Sequence, residues 1–163
     1  MTETDIEKSC CFTGHRDIPE HLHGDVFTEV CAEIKRLYDI GVRRFIAGGA
    51  IGFDMICAKA VLFLKEELDG ITLTLALPCK NHDAKWAVSD KIDFFNVLVK
   101  ADETVYVSEA YSRYCMFKRN RFMVDNSRYC ISYCQRESGG SYYTVKYARS
   151  LSRETVEISG RVD

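Results

Sequence analysis

Apolar positions along the 163-residue chain switch repeatedly between two patterns. Short continuous apolar runs mark strands buried on both faces, and longer stretches with an apolar residue every three or four positions mark helices laid against them. Ser9 to Phe12 is the first run, ending at Thr13-Gly14. Beyond Pro19, the residues Val26, Phe27, Val30, Cys31, Ile34, Leu37 and Tyr38 keep helical spacing until Gly41 closes the helix. Arg44 to Ala47 predicts the second strand, and Asp54 to Leu68 the second helix, ended by Gly70. Ile71 to Leu77 is the third strand, stopped by Pro78, and a helix from Ala84 to Val99 carries Trp86, Phe94, Phe95 and Leu98. Glu103 to Val107, a helix from Ser112 to Asn126, and Tyr129 to Cys134 continue the alternation. A Gly139-Gly140 turn then opens a helix running through Leu151, and Glu154 to Ile158 is a candidate sixth strand.

Strands and helices alternating through short turns predict an α/β fold: a doubly wound, Rossmann-like parallel sheet with helices on both faces. The simplest strand order is 3-2-1-4-5, with the sixth strand added if it forms. No repeat, low-complexity tract or linker divides the chain, so residues 1–163 read as a single domain with its core in about 9–151.

Composition narrows the classes. A hydrophobic fraction of 47% with 28% charged residues is ordinary for a globular chain. The formal charge of −2 argues against nucleic acid as a partner, because neutralising phosphates takes a clustered basic surface; a local patch around Arg113, Lys118, Arg119, Arg121 and Arg128 stays open. No apolar run approaches the roughly 18 residues of a membrane span. Met1 to Lys8 is polar and acidic, unlike a secretory or transit leader, which points to the cytoplasm. The eight cysteines include no Cys-x-x-Cys pair, and His21 and His23 are two apart, so neither set builds a metal site. A homo-oligomer is compatible with all of this.

In a doubly wound sheet, ligands bind beyond the carboxyl ends of the strands, where strand order reverses. Four clusters fall there. Thr13-Gly14-His15-Arg16 offers a hydroxyl, a permissive glycine, a titratable ring and the planar donor fork of Arg16. Gly48-Gly49-Ala50-Ile51-Gly52-Phe53-Asp54 is a glycine turn into a helix, where Gly48, Gly49 and Gly52 let backbone approach a ligand. Asp54 is either an acceptor for ribose hydroxyls, an acid/base, or a plain helix-start acid. Pro78-Cys79 ends the third strand, where Cys79 is either a residue reaching the same cleft or an unreactive loop thiol. Ser138-Gly139-Gly140-Ser141, with Thr144 one turn on, is a second glycine turn at a helix start. Arg119 and Asn120, one turn beyond Met116, are candidates for the rim. Neither a Walker-type loop nor a Gly-x-Ser-x-Gly elbow is present.

These motifs together resemble the YpsA-like branch of the SLOG superfamily, over about Cys10 to Leu151. The superfamily also holds the LOG phosphoribohydrolases and the DNA-processing protein DprA. The resemblance implies a Rossmann-like fold that binds nucleotides or nucleotide-derived ligands such as ADP-ribose or an NAD-like molecule, with no obligatory cofactor. The hydrolase branch carries Met-x-x-Arg-Lys and Pro-Gly-Gly-x-Gly-Thr-x-x-Glu. Met116-Phe117-Lys118-Arg119 is similar to the first, with Asn120 in place of the lysine. Ser138 to Thr144 departs from the second, and Tyr147 stands where that branch has its glutamate. The reading preferred on these grounds is binding or sensing of a nucleotide-like small molecule. The alternatives are N-glycosidic cleavage, with Asp54 and Arg119 as its catalytic residues, and single-stranded DNA binding.

Overall fold

The computed structural model describes residues 2–162. Six strands, β1 (Ser9–Gly14), β2 (Arg44–Ala47), β3 (Thr72–Leu77), β4 (Glu103–Tyr106), β5 (Tyr129–Tyr133) and β6 (Glu154–Glu157), form one sheet. All five pairings are parallel. Each strand passes to the next through a helix: α2 (His23–Asp39), α3 (Phe53–Leu64), α4 (Val88–Lys100), α5 (Cys115–Asp125) and α6 (Gly139–Ser150). A short α1 (Glu3–Glu7), absent from the apolar pattern, is held by a capping box between Thr2 and Asp5. Among the described residues no helix is long and apolar enough to cross a membrane.

The strand order is 4-3-2-1-5-6, which corrects the expected 3-2-1-4-5. The fourth strand sits outside β3, and the fifth takes the place beside β1. Burial explains the exchange. A strand flanked on both sides and covered on both faces must be apolar throughout, and Cys130, Ile131, Ser132 and Tyr133 of β5 are all buried. The short β4 has exposed Glu103 and Tyr106 and suits an edge. Asp102, just before it, locks that edge by accepting from the Leu73 amide at 2.8 Å and from Lys65 Nζ at 2.6 Å.

Alternation along the strands divides the core. Cys10, Phe12, Phe45, Leu73, Leu75 and Ile131 face α2, α3 and α4, whereas Cys11, Ile46, Ala76 and Cys130 face α5 and α6. The first three crossovers put their helices on one face, and the reversal between β4 and β5 puts the last two on the other. The reversal therefore still falls beside β1. The chain segment before α4 is irregular, contrary to the helix expected from Ala84. There His82 and Trp86 pack edge-on against Phe94, and His82 Nε2 donates to the Gly49 carbonyl at 3.0 Å.

Candidate functional site

A cleft of about 550 Å³ opens beyond the carboxyl ends of β1 and β5. Its walls come from four places in the sequence. The end of β1 and the loop after it supply Thr13, Gly14, His15, Arg16 and Asp17, and the turn into α3 with its first residues supplies Ala50 and Asp54. The first half of α5 supplies Met116, Arg119 and Asn120, and the loop into α6 with the helix's first turn supplies Arg136 and Ser138 to Ser141.

At the cleft floor lies a buried charge pair. Arg119 is 5% exposed; its Nη1 donates to the Gly48 carbonyl and its Nε to Asn120 Oδ1 at 2.8 Å. Asp54 is 8% exposed and accepts from the Ala50 amide at 3.3 Å. Gly48 lies between them: a Cβ there would stand 2.7 Å from Asp54 Oδ2 and 2.8 Å from Arg119 Nη1. Burial pushes the Asp54 carboxyl above its usual range, while the charge of Arg119 and the Ala50 amide pull it back. Burial likewise lowers the Arg119 value, opposed by Asp54. The guanidinium nonetheless stays charged, because arginine starts so far above neutrality.

The two long walls are tied across the mouth. His15 accepts the Gln135 amide on Nε2 at 2.9 Å, which leaves its proton on Nδ1 in the neutral ring. Burial, helped by Arg136, holds its pKa below the usual 6.5, so the ring is neutral at pH 7 rather than charging there. Outside it, Arg136 pairs with Asp17 at 2.6 Å, both largely exposed, and this hydrogen bond lowers the Asp17 pKa. Arg16 is different: exposed, it makes no hydrogen bond or ion pair with any described residue.

The two glycine turns have opposite characters. The first is closed. A Cβ at Gly14 would lie 2.5 Å from the Phe53 ring, one at Gly49 2.4 Å from Leu77, and one at Gly52 2.5 Å from the Arg16 carbonyl oxygen. The Phe53 amide donates to the His15 carbonyl at 3.0 Å. Gly48, Gly49 and Gly52 thus lie behind the wall, and only Ala50 and Asp54 of this segment reach the cleft. The second turn is open. Ser138 makes no side-chain cap, the first turn of α6 has no acid, and a Cβ on Gly139 would meet nothing within 4 Å. Its first amides, left without helical partners, border the cleft.

Pro78, Cys79 and Thr144 lie outside the cleft. Cys79 is buried, and burial together with neighbouring Cys115 raises its pKa. Thr144 is buried and bonds back to the Gly140 carbonyl at 2.7 Å. Asp17 and Arg136 line the cleft without having been singled out. Arg136 lies three residues beyond the end of β5, so the strand-end rule that found Ser138 was enough to find it too. Among the described residues no group of His, Cys, Asp and Glu could hold a metal ion.

The sequence model of the YpsA family, described as the YspA SLOG family, matches residues 26–159. The chain belongs to this family. The match begins after the Thr13 to Arg16 motif, which forms one wall of the cleft. Among relatives of this SLOG protein, the SPbeta prophage-derived YoqJ of Bacillus subtilis is 30% identical over 118 residues, 65% of this chain and 69% of YoqJ. The fold is that of DprA. The Streptococcus pneumoniae protein aligns with a TM-score of 0.65 at 14% identity, and the Helicobacter pylori protein with 0.65 at 15%. The alignments take in 93% and 94% of this chain but only 50% and 66% of those longer ones.

The Helicobacter pylori structure is described for its single-stranded DNA binding mode. This overturns the exclusion of nucleic acid drawn above from the net charge. A total over the chain says little about one cleft, where three arginines face two aspartates and the open end of a helix.

Proposed function

We propose that the cleft binds a nucleotide or a nucleotide-derived molecule by its phosphate, and binds it without cleaving it. One observation carries the reading: the uncapped start of α6 and the unpaired Arg16 face the same cavity. Backbone amides at a positive helix end and a guanidinium fork are matched to phosphate oxygens. Asp54 and Arg119 are spent on the floor, where they hold the first glycine turn and the Gly48 carbonyl. Tyr147, at the position of the hydrolase glutamate, donates to Asp125 at 2.6 Å and does not line the cleft.

Calorimetric titration with AMP, ADP, ADP-ribose and NAD is the test. At least one binds, and Arg16→Ala weakens it about tenfold, the loss of one charge-assisted contact. Absence of heat at millimolar ligand, or equal binding by Arg16→Ala, would overturn the proposal. Chromatography of the same mixtures shows no released base; release that disappears in Asp54→Asn would establish cleavage instead.

A second reading, single-stranded nucleic acid, is favoured by the surface continuing from the cleft along α5 and α6. Exposed Phe117 meets Tyr143 edge-on at 4.5 Å, and Arg121 lies 4.6 Å over the Tyr147 ring. Aromatic rings beside basic groups are what stacked bases need. Anisotropy of a labelled dT oligomer at physiological salt decides it: tight binding that a mononucleotide does not displace favours the strand.

A further inference from the structure

Helix α4 covers the sheet with Phe94 and Val97, both buried. Its opposite side is apolar as well. Val88, Ile92, Phe95 and Val99 are 72%, 57%, 60% and 60% exposed, and they recur at intervals of four, three and four residues. That spacing keeps all four on one stripe of the helix and is the seam of a helix pair. A solvated helix places charges there, and none of the four positions carries one. Across a groove of about 550 Å³ between α3 and α4 stands Phe63, itself 62% exposed.

We propose that this face joins two copies of the chain, with the α4 helices packed antiparallel about a twofold axis. Self-complementarity argues for a second copy. An axis passing between Ile92 and Phe95 sets Ile92 of each chain against Phe95 of the other, and Val88 against Val99, so every apolar side chain finds an apolar partner. The helix ends agree, since the antiparallel arrangement places the acidic first turn with Asp90 towards the partner's basic last turn with Lys100. On the groove rim Lys59 already pairs with Asp93 at 2.8 Å and Lys65 with Asp102 at 2.6 Å within the chain, which leaves Lys100 and Glu66, one charge of each sign, to meet an identical rim. The size also fits. The five exposed side chains offer apolar surface on the order of 500 Å², at the top of what a lone monomer shows, and their polar flanks extend it towards the roughly 800 Å² per partner of a stable interface.

Sedimentation equilibrium of the purified chain tests this, because the chain mass is 18.6 kDa and a dimer doubles it. The dimer is the expected species at tens of micromolar. Phe95→Glu and Ile92→Glu, at exposed positions, are expected to raise its dissociation constant by about thirtyfold or more while leaving the circular dichroism and melting midpoint of the monomer unchanged. Register is tested in a chain carrying Val88→Cys and Val99→Cys: mild oxidation is expected to link 88 of one copy to 99 of the other, mapped by peptide mass spectrometry. A monomer at several hundred micromolar overturns the proposal, even if its α4 face then takes up an unrelated protein or a lipid vesicle. A dimer untouched by Phe95→Glu, or one lacking the 88–99 link, overturns it too.

Discussion

Arg119 lines the cleft, as its place one turn beyond Met116 suggested, and its hydrogen bonds show what holds it there. Its neighbourhood to Met116 suggested the cleft rim, and its carry-over from the hydrolase pattern suggested catalysis. Its donors go to Gly48 and Asn120, at the cleft floor that it shares with Asp54. Removing it strands a buried carboxylate and a buried carbonyl, so Arg119→Met is expected to cost roughly 3 kcal/mol in urea unfolding. Adding Asp54→Asn removes the stranded charge, and the double variant is expected to lose less than the two single losses combined. His15 makes a second prediction. Because its folded pKa lies below 6.5, the unfolded chain binds the proton more readily. Stability is therefore complete above pH 6.5 and declines as pH falls through the folded value. His82, also lowered by burial, acts in the same window. Urea midpoints at pH 7.5 and 5 are expected to differ less in His15→Gln than in the parent chain.

Among the elements, the strands were legible because a parallel sheet demands continuous apolar runs, and all six lie within a residue or two of their expected places. The order was not read correctly, although the contrast needed for it is visible: Tyr129-Cys130-Ile131-Ser132-Tyr133 is fit for burial and Glu103-Thr104-Val105-Tyr106 is not. The glycine turns were legible as turns, but whether a turn is open depends on what packs behind it. Phe53, Leu77 and the Arg16 backbone fill the space behind the first, and distant packing of that kind leaves no local trace in sequence. Alanine separates the two. Gly52→Ala combines a φ of +82° with a 2.5 Å clash against backbone and is expected to cost about 3 kcal/mol. Gly139→Ala, with a φ of +90° and open space, is expected to cost about 1 kcal/mol in thermal unfolding.

For the whole molecule, the separation of the cleft from the α4 face matters, since the two lie on different parts of the fold and their tests are independent. A ligand held in the cleft stabilises by mass action, and a concentration one hundred times its dissociation constant is expected to add about 2.7 kcal/mol. The mouth itself joins distant stretches of chain: Gln135 reaches His15, and Arg136 reaches Asp17, across 120 and 119 positions of sequence. A nascent polypeptide that has left the ribosome only as far as α5 therefore has one jaw and nothing for it to close upon. Contacts of such long sequence separation are expected to form late, and we expect the cleft to be completed after the rate-limiting barrier of folding. Added ligand should then slow escape from the native state while leaving the speed of refolding untouched, and stopped-flow traces with and without it would separate the two limbs.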